Sequence, residues 1–139
     1  MISDAPMPKK VGGLQKDGEG NDMIERRLVN QARKTVLAER ICCCWDFWKR
    51  TIGLLGKAKI SPTEAYWLMP CRSVHTFGMA YPIDLFVLDR KNRVIAIVEK
   101  MKPNRVSRFY PKARSILEFA WGPHRDCEIG DQLKLEEMP

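Results

Sequence analysis

Residues 83–101 read IDLFVLDRKNRVIAIVEKM, two apolar runs rich in β-branched side chains on either side of the polar tetrad Arg90, Lys91, Asn92 and Arg93. Side chains alternate across a strand, so this pattern predicts a β-hairpin that turns near residues 90–93 and sets Ile83, Leu85 and Val87 on one face. Shorter apolar runs around Leu28 to Asn30, from Val36 to Cys44, from Ser115 to Phe119 and from Gln132 to Leu135 predict further strands, with a helix through the charged middle of the first two as the alternative. The stretch CRSVHTFGM, approached through Tyr66, Leu68 and Pro70, reads as another, with Cys71, Ser73, His75, Phe77 and Met79 sharing a face if it is regular.

A different period appears after Asp46. In FWKRTIGLLG the residues Phe47, Trp48, Thr51, Ile52 and Leu55 gather at helical spacing and Gly56 can close the end, which predicts a short amphipathic helix over residues 47–55. Gly122 and Pro123 open a polar turn or a single helical turn. Many short strands without alternating long helices exclude a doubly wound sheet. They predict a mainly β, β-rich α+β domain: a mostly antiparallel β-sandwich or small barrel with one or two short helices.

The chain has 139 residues, enough for one domain that needs no metal or disulfide staple. Residues 1–22 mix Pro, Gly, Lys and Asp with few large apolar groups and are expected to form a flexible tail, leaving 23–139 as a single β-rich domain. No run approaches the roughly 20 apolar residues that span a bilayer, and the start has no signal-like apolar core. A soluble cytoplasmic protein is expected, without a transmembrane segment. Five cysteines, three of them consecutive at Cys42, Cys43 and Cys44, fit reduced thiols better than a disulfide scaffold.

The successive landmarks TIGLLG, CRSVHTFGMAYPIDLFVLDRKNRVIAIVEKMKP, RSILEF and IGDQLKL resemble those of the domain-of-unknown-function 192 family, also called uncharacterised protein family 0127. The similarity covers roughly residues 26–135. Met79, Pro82 and Asp84 together make residues 71–89 its most diagnostic part. The resemblance implies an architecture and carries no activity. Where the family leads one to expect a glycine-started helical turn rich in Ala and Leu, this chain has WGPHRDCE.

Chemistry-bearing residues are sparse. Cys71, His75 and Met79 are soft donors that would suit copper, but Cys71 and His75 lie about 13 Å apart on a regular strand, too far to share one ion. Packing is the simpler reading, and no metal or other cofactor is expected. Cys42, Cys43 and Cys44 lack a CxxC partner pair. His124 and Cys127 could meet on a helical turn, although such a pair is far more often two unrelated surface neighbours than a catalytic dyad. Asp84, following Pro82, is expected to accept backbone hydrogen bonds and fix the bend between strands. Nucleotide, HExxH and calcium-loop signatures are absent, so no catalytic residue is assigned and an enzyme is the less favoured class.

Two binding surfaces are predicted instead. A cleft of a β-fold could be lined by Trp67, His75, Phe77, Met79 and Tyr81, which predicts a ligand-binding or accessory module whose partner is a small ligand or a protein. The alternative uses charge: between residues 102 and 114 stand Lys102, Arg105, Arg108, Lys112 and Arg114 with no Asp or Glu, so most of the net charge of +7 is concentrated there. Phe109 and Tyr110 sit among these cations. Arg105, Arg108, Lys112 and Arg114 therefore form a candidate site for a polyanion, nucleic acid or an anionic surface. An enzyme with an unrecognised site is the third class.

Overall fold

The computed structural model describes residues 22–24, 26–44, 60–122 and 125–137. Nine strands follow in chain order: β1 (Asp22–Ile24), β2 (Arg26–Asn30), β3 (Thr35–Ala38), β4 (Arg40–Cys44), β5 (Glu64–Leu68), β6 (Ile83–Leu88), β7 (Val94–Met101), β8 (Ser115–Ala120) and β9 (Leu133–Glu137). They make a six-stranded sheet in the order β1-β4-β5-β8-β6-β7 and a three-stranded sheet in the order β3-β2-β9. All pairs are antiparallel except β4 with β5. The predicted hairpin is the β6–β7 pair, and Ile83, Leu85 and Val87 share one core.

The central strands β5, β6 and β8 of the larger sheet are buried on both faces, which explains why β6 and β8 read as nearly continuous apolar runs. One face carries Ile83, Leu85, Val87, Ile116 and Leu68 and is covered by Val74, Met79, Ala113 and the half-buried Tyr81 and Tyr110 of the long connections. The other carries Trp67, Phe86, Leu88, Leu117 and Phe119 and packs on Leu28, Leu37 and Leu133 of the smaller sheet. Here the Phe86 and Phe119 rings lie 4.9 Å apart. The indole N–H of Trp67 donates to Ser115 Oγ at 2.9 Å, so the buried ring leaves no orphan donor.

This arrangement corrects the expected fold class. The structure is a mostly antiparallel two-sheet β-fold, not a closed barrel, and among the described residues it contains no helix. The larger sheet ends at β1 and β7 and the smaller at β3 and β9, so neither closes on itself, and β6 and β8 are instead covered on one face by the long connections and on the other by the smaller sheet. The sheets are linked near the hairpin turn by the Arg93–Gln132 bridge and by Val94 N donating to Asp131 O at 2.9 Å. The helix expected over residues 47–55 lies outside the described residues, as does the expected tail apart from Asp22, which opens β1. The stretch after Gly122, expected as a polar turn or a single helical turn, is not helical at residues 125–128. Instead, Cys127 N bonds Arg125 O at 2.7 Å and the Arg125 guanidinium reaches Asp84 and Ala120 O, both at 2.8 Å.

Residues 71–79 are not a regular strand either; His75 makes one isolated bridge, to Val106. The buried Thr76 hydroxyl accepts Arg105 N and donates to Lys102 O, and Met79 N turns back to Thr76 O around the left-handed Gly78. These local bonds replace a ladder. The connection over residues 102–114 is thereby tied along its length to residues 72–76.

Candidate functional site

Three segments distant in sequence meet at one end of the larger sheet and enclose an open groove of about 1050 Å³. The hairpin turn brings Asp89, Arg90, Lys91 and Arg93; the segment after β5 brings Met69, Pro70, Cys71 and Arg72; the approach to β8 brings Pro111, Lys112, Ala113 and Arg114. Six cations thus face a single carboxylate over an apolar floor. That carboxylate is committed to the turn, since Asp89 Oδ1 accepts the amides of Lys91 and Arg93 at 2.9 Å each and Oδ2 accepts Arg93 Nε at 3.1 Å. Asn92 completes the turn in the left-handed conformation that asparagine tolerates, with φ of 58°. Among the described residues, Lys91, Lys112 and Arg114 have no carboxylate partner.

Of the four predicted polyanion-binding residues, the structure brings Lys112 and Arg114 into this groove. Arg105 and Arg108 lie exposed further along the same connection, outside the lining. The two neighbouring aromatics separate: Tyr110 packs against the core while Phe109 is exposed. Sequence reasoning missed the contribution of Arg72, Arg90, Lys91 and Arg93. The only signal for the last three was the density of charge in RKNR, which also makes an ordinary solvated turn, and Arg72 stood alone in its segment.

The five residues predicted to line a ligand cleft are not brought together. Trp67 is buried beneath the smaller sheet, whereas Met79 and Tyr81 pack on the opposite face of the larger one. His75 and Phe77 stack on each other with ring centroids 5.2 Å apart, and the buried His75 Nδ1 has no hydrogen-bond partner. Cys71 Sγ donates to Ser73 O at 3.2 Å, so Cys71, His75 and Met79 form no common donor set. Among the described residues no group of three or more His, Cys, Asp or Glu side chains is placed to hold a metal ion. No helix of the described residues is long and apolar enough to cross a membrane.

Four ionisable groups, buried or largely so, lie away from the groove. Asp84 and Arg125 form an ion pair at 2.8 Å on the face shared with Phe119, where the guanidinium stacks 4.4 Å from the ring and burial lowers its pKa. The expected bend-fixing role of Asp84 appears in its second oxygen, which accepts Lys100 N at 2.8 Å beside a register shift in the β6–β7 pair. Glu118 points to the other face, opposite Tyr66 and Leu85 in register, and burial pushes its carboxyl up to about 8. Cys127 is buried near Asp131, and burial first, then that carboxylate, push its thiol up to about 12. His124, its suggested partner, lies outside the described residues.

The chain matches the model of the DUF192 family, described as "Uncharacterized ACR", over residues 29–135. It belongs to that family. Two solved structures share the fold: a chain from Sinorhizobium meliloti 1021 described as a "putative transcription regulator" (TM-score 0.69, 17% identity, 83% of this chain and 95% of that one covered), and a protein of unknown function from Novosphingobium aromaticivorans DSM 12444 (TM-score 0.71, 14% identity, 96% and 93% covered). No curated protein matches the chain.

Proposed function

We infer that the chain is a non-catalytic binding module that holds a phosphate-bearing anion in the groove between the hairpin turn and the approach to β8. The observation that carries this reading is the convergence of Arg72, Arg90, Lys91, Arg93, Lys112 and Arg114 from three separate segments on one concave surface. Guanidinium groups match phosphate oxygens with paired donors, and ammonium groups add point charge. Two of the lining side chains are engaged elsewhere: Asp89 holds the turn, and the Cys71 thiol donates to Ser73 O, which leaves the lysines and arginines to meet an anion. The reading fits a cytoplasmic protein, where phosphate esters are abundant and thiols stay reduced. It rests on the groove and not on the regulatory role in the description of the Sinorhizobium meliloti chain, which at 17% identity shares the fold alone.

Calorimetric titration with inorganic tripolyphosphate tests it. Saturable binding that weakens as salt rises from about 50 to about 200 mM is expected, because exposed charges are screened over that range. No binding at the lower salt, or binding indifferent to salt, contradicts the reading.

A further inference from the structure

The groove continues into a ribbon whose outer side has a different character. Residues 72–76 and 105–110 run antiparallel, with Tyr110 N donating to Arg72 O, Ser107 N to Val74 O and Thr76 N to Arg105 O, each at 2.8 Å. Val74 and Thr76 turn inward, and Tyr110 packs against the core beneath. Outside are Phe77, Val106 and Phe109, at 49%, 62% and 64% exposure, three of the six large apolar side chains exposed among the described residues. The His75 ring stacks on Phe77, and Arg105 and Arg108 stand exposed in the segment that carries Val106 and Phe109. Neither residues 71–77 nor residues 102–114 contain an acid. Arg72 belongs to both surfaces, and three residues of chain, about 10 Å at most, separate it from His75.

We propose that the anion held by the groove is single-stranded nucleic acid, with its phosphates in the groove and its bases stacked on Phe77 and Phe109 of the ribbon. This rests on the groove reading above and adds the class of ligand. Unpaired bases have apolar π-faces and a regularly charged backbone, and aromatic rings interleaved with cations meet both needs. An anionic bilayer is the competing occupant of a basic and aromatic face. It fits less well because six cations in a concave groove cannot all reach a flat surface, whereas a flexible strand can enter it. Duplex nucleic acid keeps its bases stacked and offers the rings nothing.

The test uses the full chain, a fluorescent oligothymidylate of about twelve nucleotides, inorganic tripolyphosphate and phosphatidylserine vesicles. Phe77→Ala combined with Phe109→Ala is expected to weaken oligothymidylate binding at least about tenfold and to leave tripolyphosphate binding and the melting temperature unchanged. Phe77→Tyr with Phe109→Tyr, which keeps both π-faces, is expected to bind the oligonucleotide as the wild type does. Oligothymidylate affinity unaffected by ring removal, or stronger binding to vesicles or duplex than to the single strand, overturns the inference while the groove reading stands on tripolyphosphate. Wild-type protein that binds neither tripolyphosphate nor the oligonucleotide overturns both.

Discussion

The backbone amide of Arg114 donates to the carbonyl of Leu88 at 2.8 Å, which fixes the approach to β8 against the last residue of β6 just before the hairpin turn. The carbonyl of Arg114 in turn accepts Cys71 N at 3.0 Å. One residue thus ties together all three segments that supply the groove. Its floor is set by backbone bonds at the end of a buried sheet, so a bound anion needs to order only side chains, and the entropic cost of binding is correspondingly reduced.

The Asp84–Arg125 pair is expected to carry stability and not ligand binding. Its side chains are only 7% and 13% exposed, so Asp84→Ala strands a buried guanidinium and also removes the acceptor for Lys100 N. Urea unfolding should show a loss of about 3–5 kcal/mol. Asp84→Asn should fall between this variant and the wild type because it retains an acceptor for the amide. A loss below about 1 kcal/mol for Asp84→Ala would show that the pair contributes little.

Glu118 should make stability fall as pH rises. Its folded pKa, about 8, lies above the ordinary value of 4.5, so the folded chain keeps a proton that the unfolded chain releases between those two values. The contribution is complete below the unfolded pKa and is lost as pH climbs to about 8, up to about 5 kcal/mol in all. Chemical denaturation of wild type and Glu118→Gln from pH 5 to pH 8.5 checks this, with the variant expected to lack that downward component. Parallel pH profiles for the two proteins would refute it.

Cys127 should be inert in the folded protein, since a thiol raised to about 12 holds almost no thiolate at neutral pH. Mass-mapped alkylation with iodoacetamide at pH 8 is expected to spare Cys127 in native buffer and to modify it in denaturant. Rapid native labelling at that residue would contradict the burial shown here.

Legibility in the sequence followed how local the determining interactions were. The β6–β7 hairpin was readable because its alternation and its turn lie within nineteen consecutive residues. The barrel expectation failed because short strands do not reveal whether their sheet closes on itself, a property of how distant segments pair. Residues 71–79 alternate like a strand, yet Thr76 spends its backbone and hydroxyl on the 102–105 segment, a contact no local pattern encodes. The site was half visible for the same reason: Lys112 and Arg114 stood in an obvious run of charge, whereas Arg72 and the turn cations joined them only through long-range bonds such as those of Arg114 and Tyr110.

The most direct test of the groove compares two charge reversals of equal size. Lys91→Glu, Lys112→Glu and Arg114→Glu together alter the lining, while Lys102→Glu, Arg105→Glu and Arg108→Glu change the net charge equally at exposed positions outside it. With inorganic tripolyphosphate as the probe, the first variant should lose affinity by about tenfold for each cation removed from contact, and the second should stay within a few fold of wild type. Equal losses in the two variants, or no loss in the first, would contradict a built anion site and reduce the cations to general surface charge.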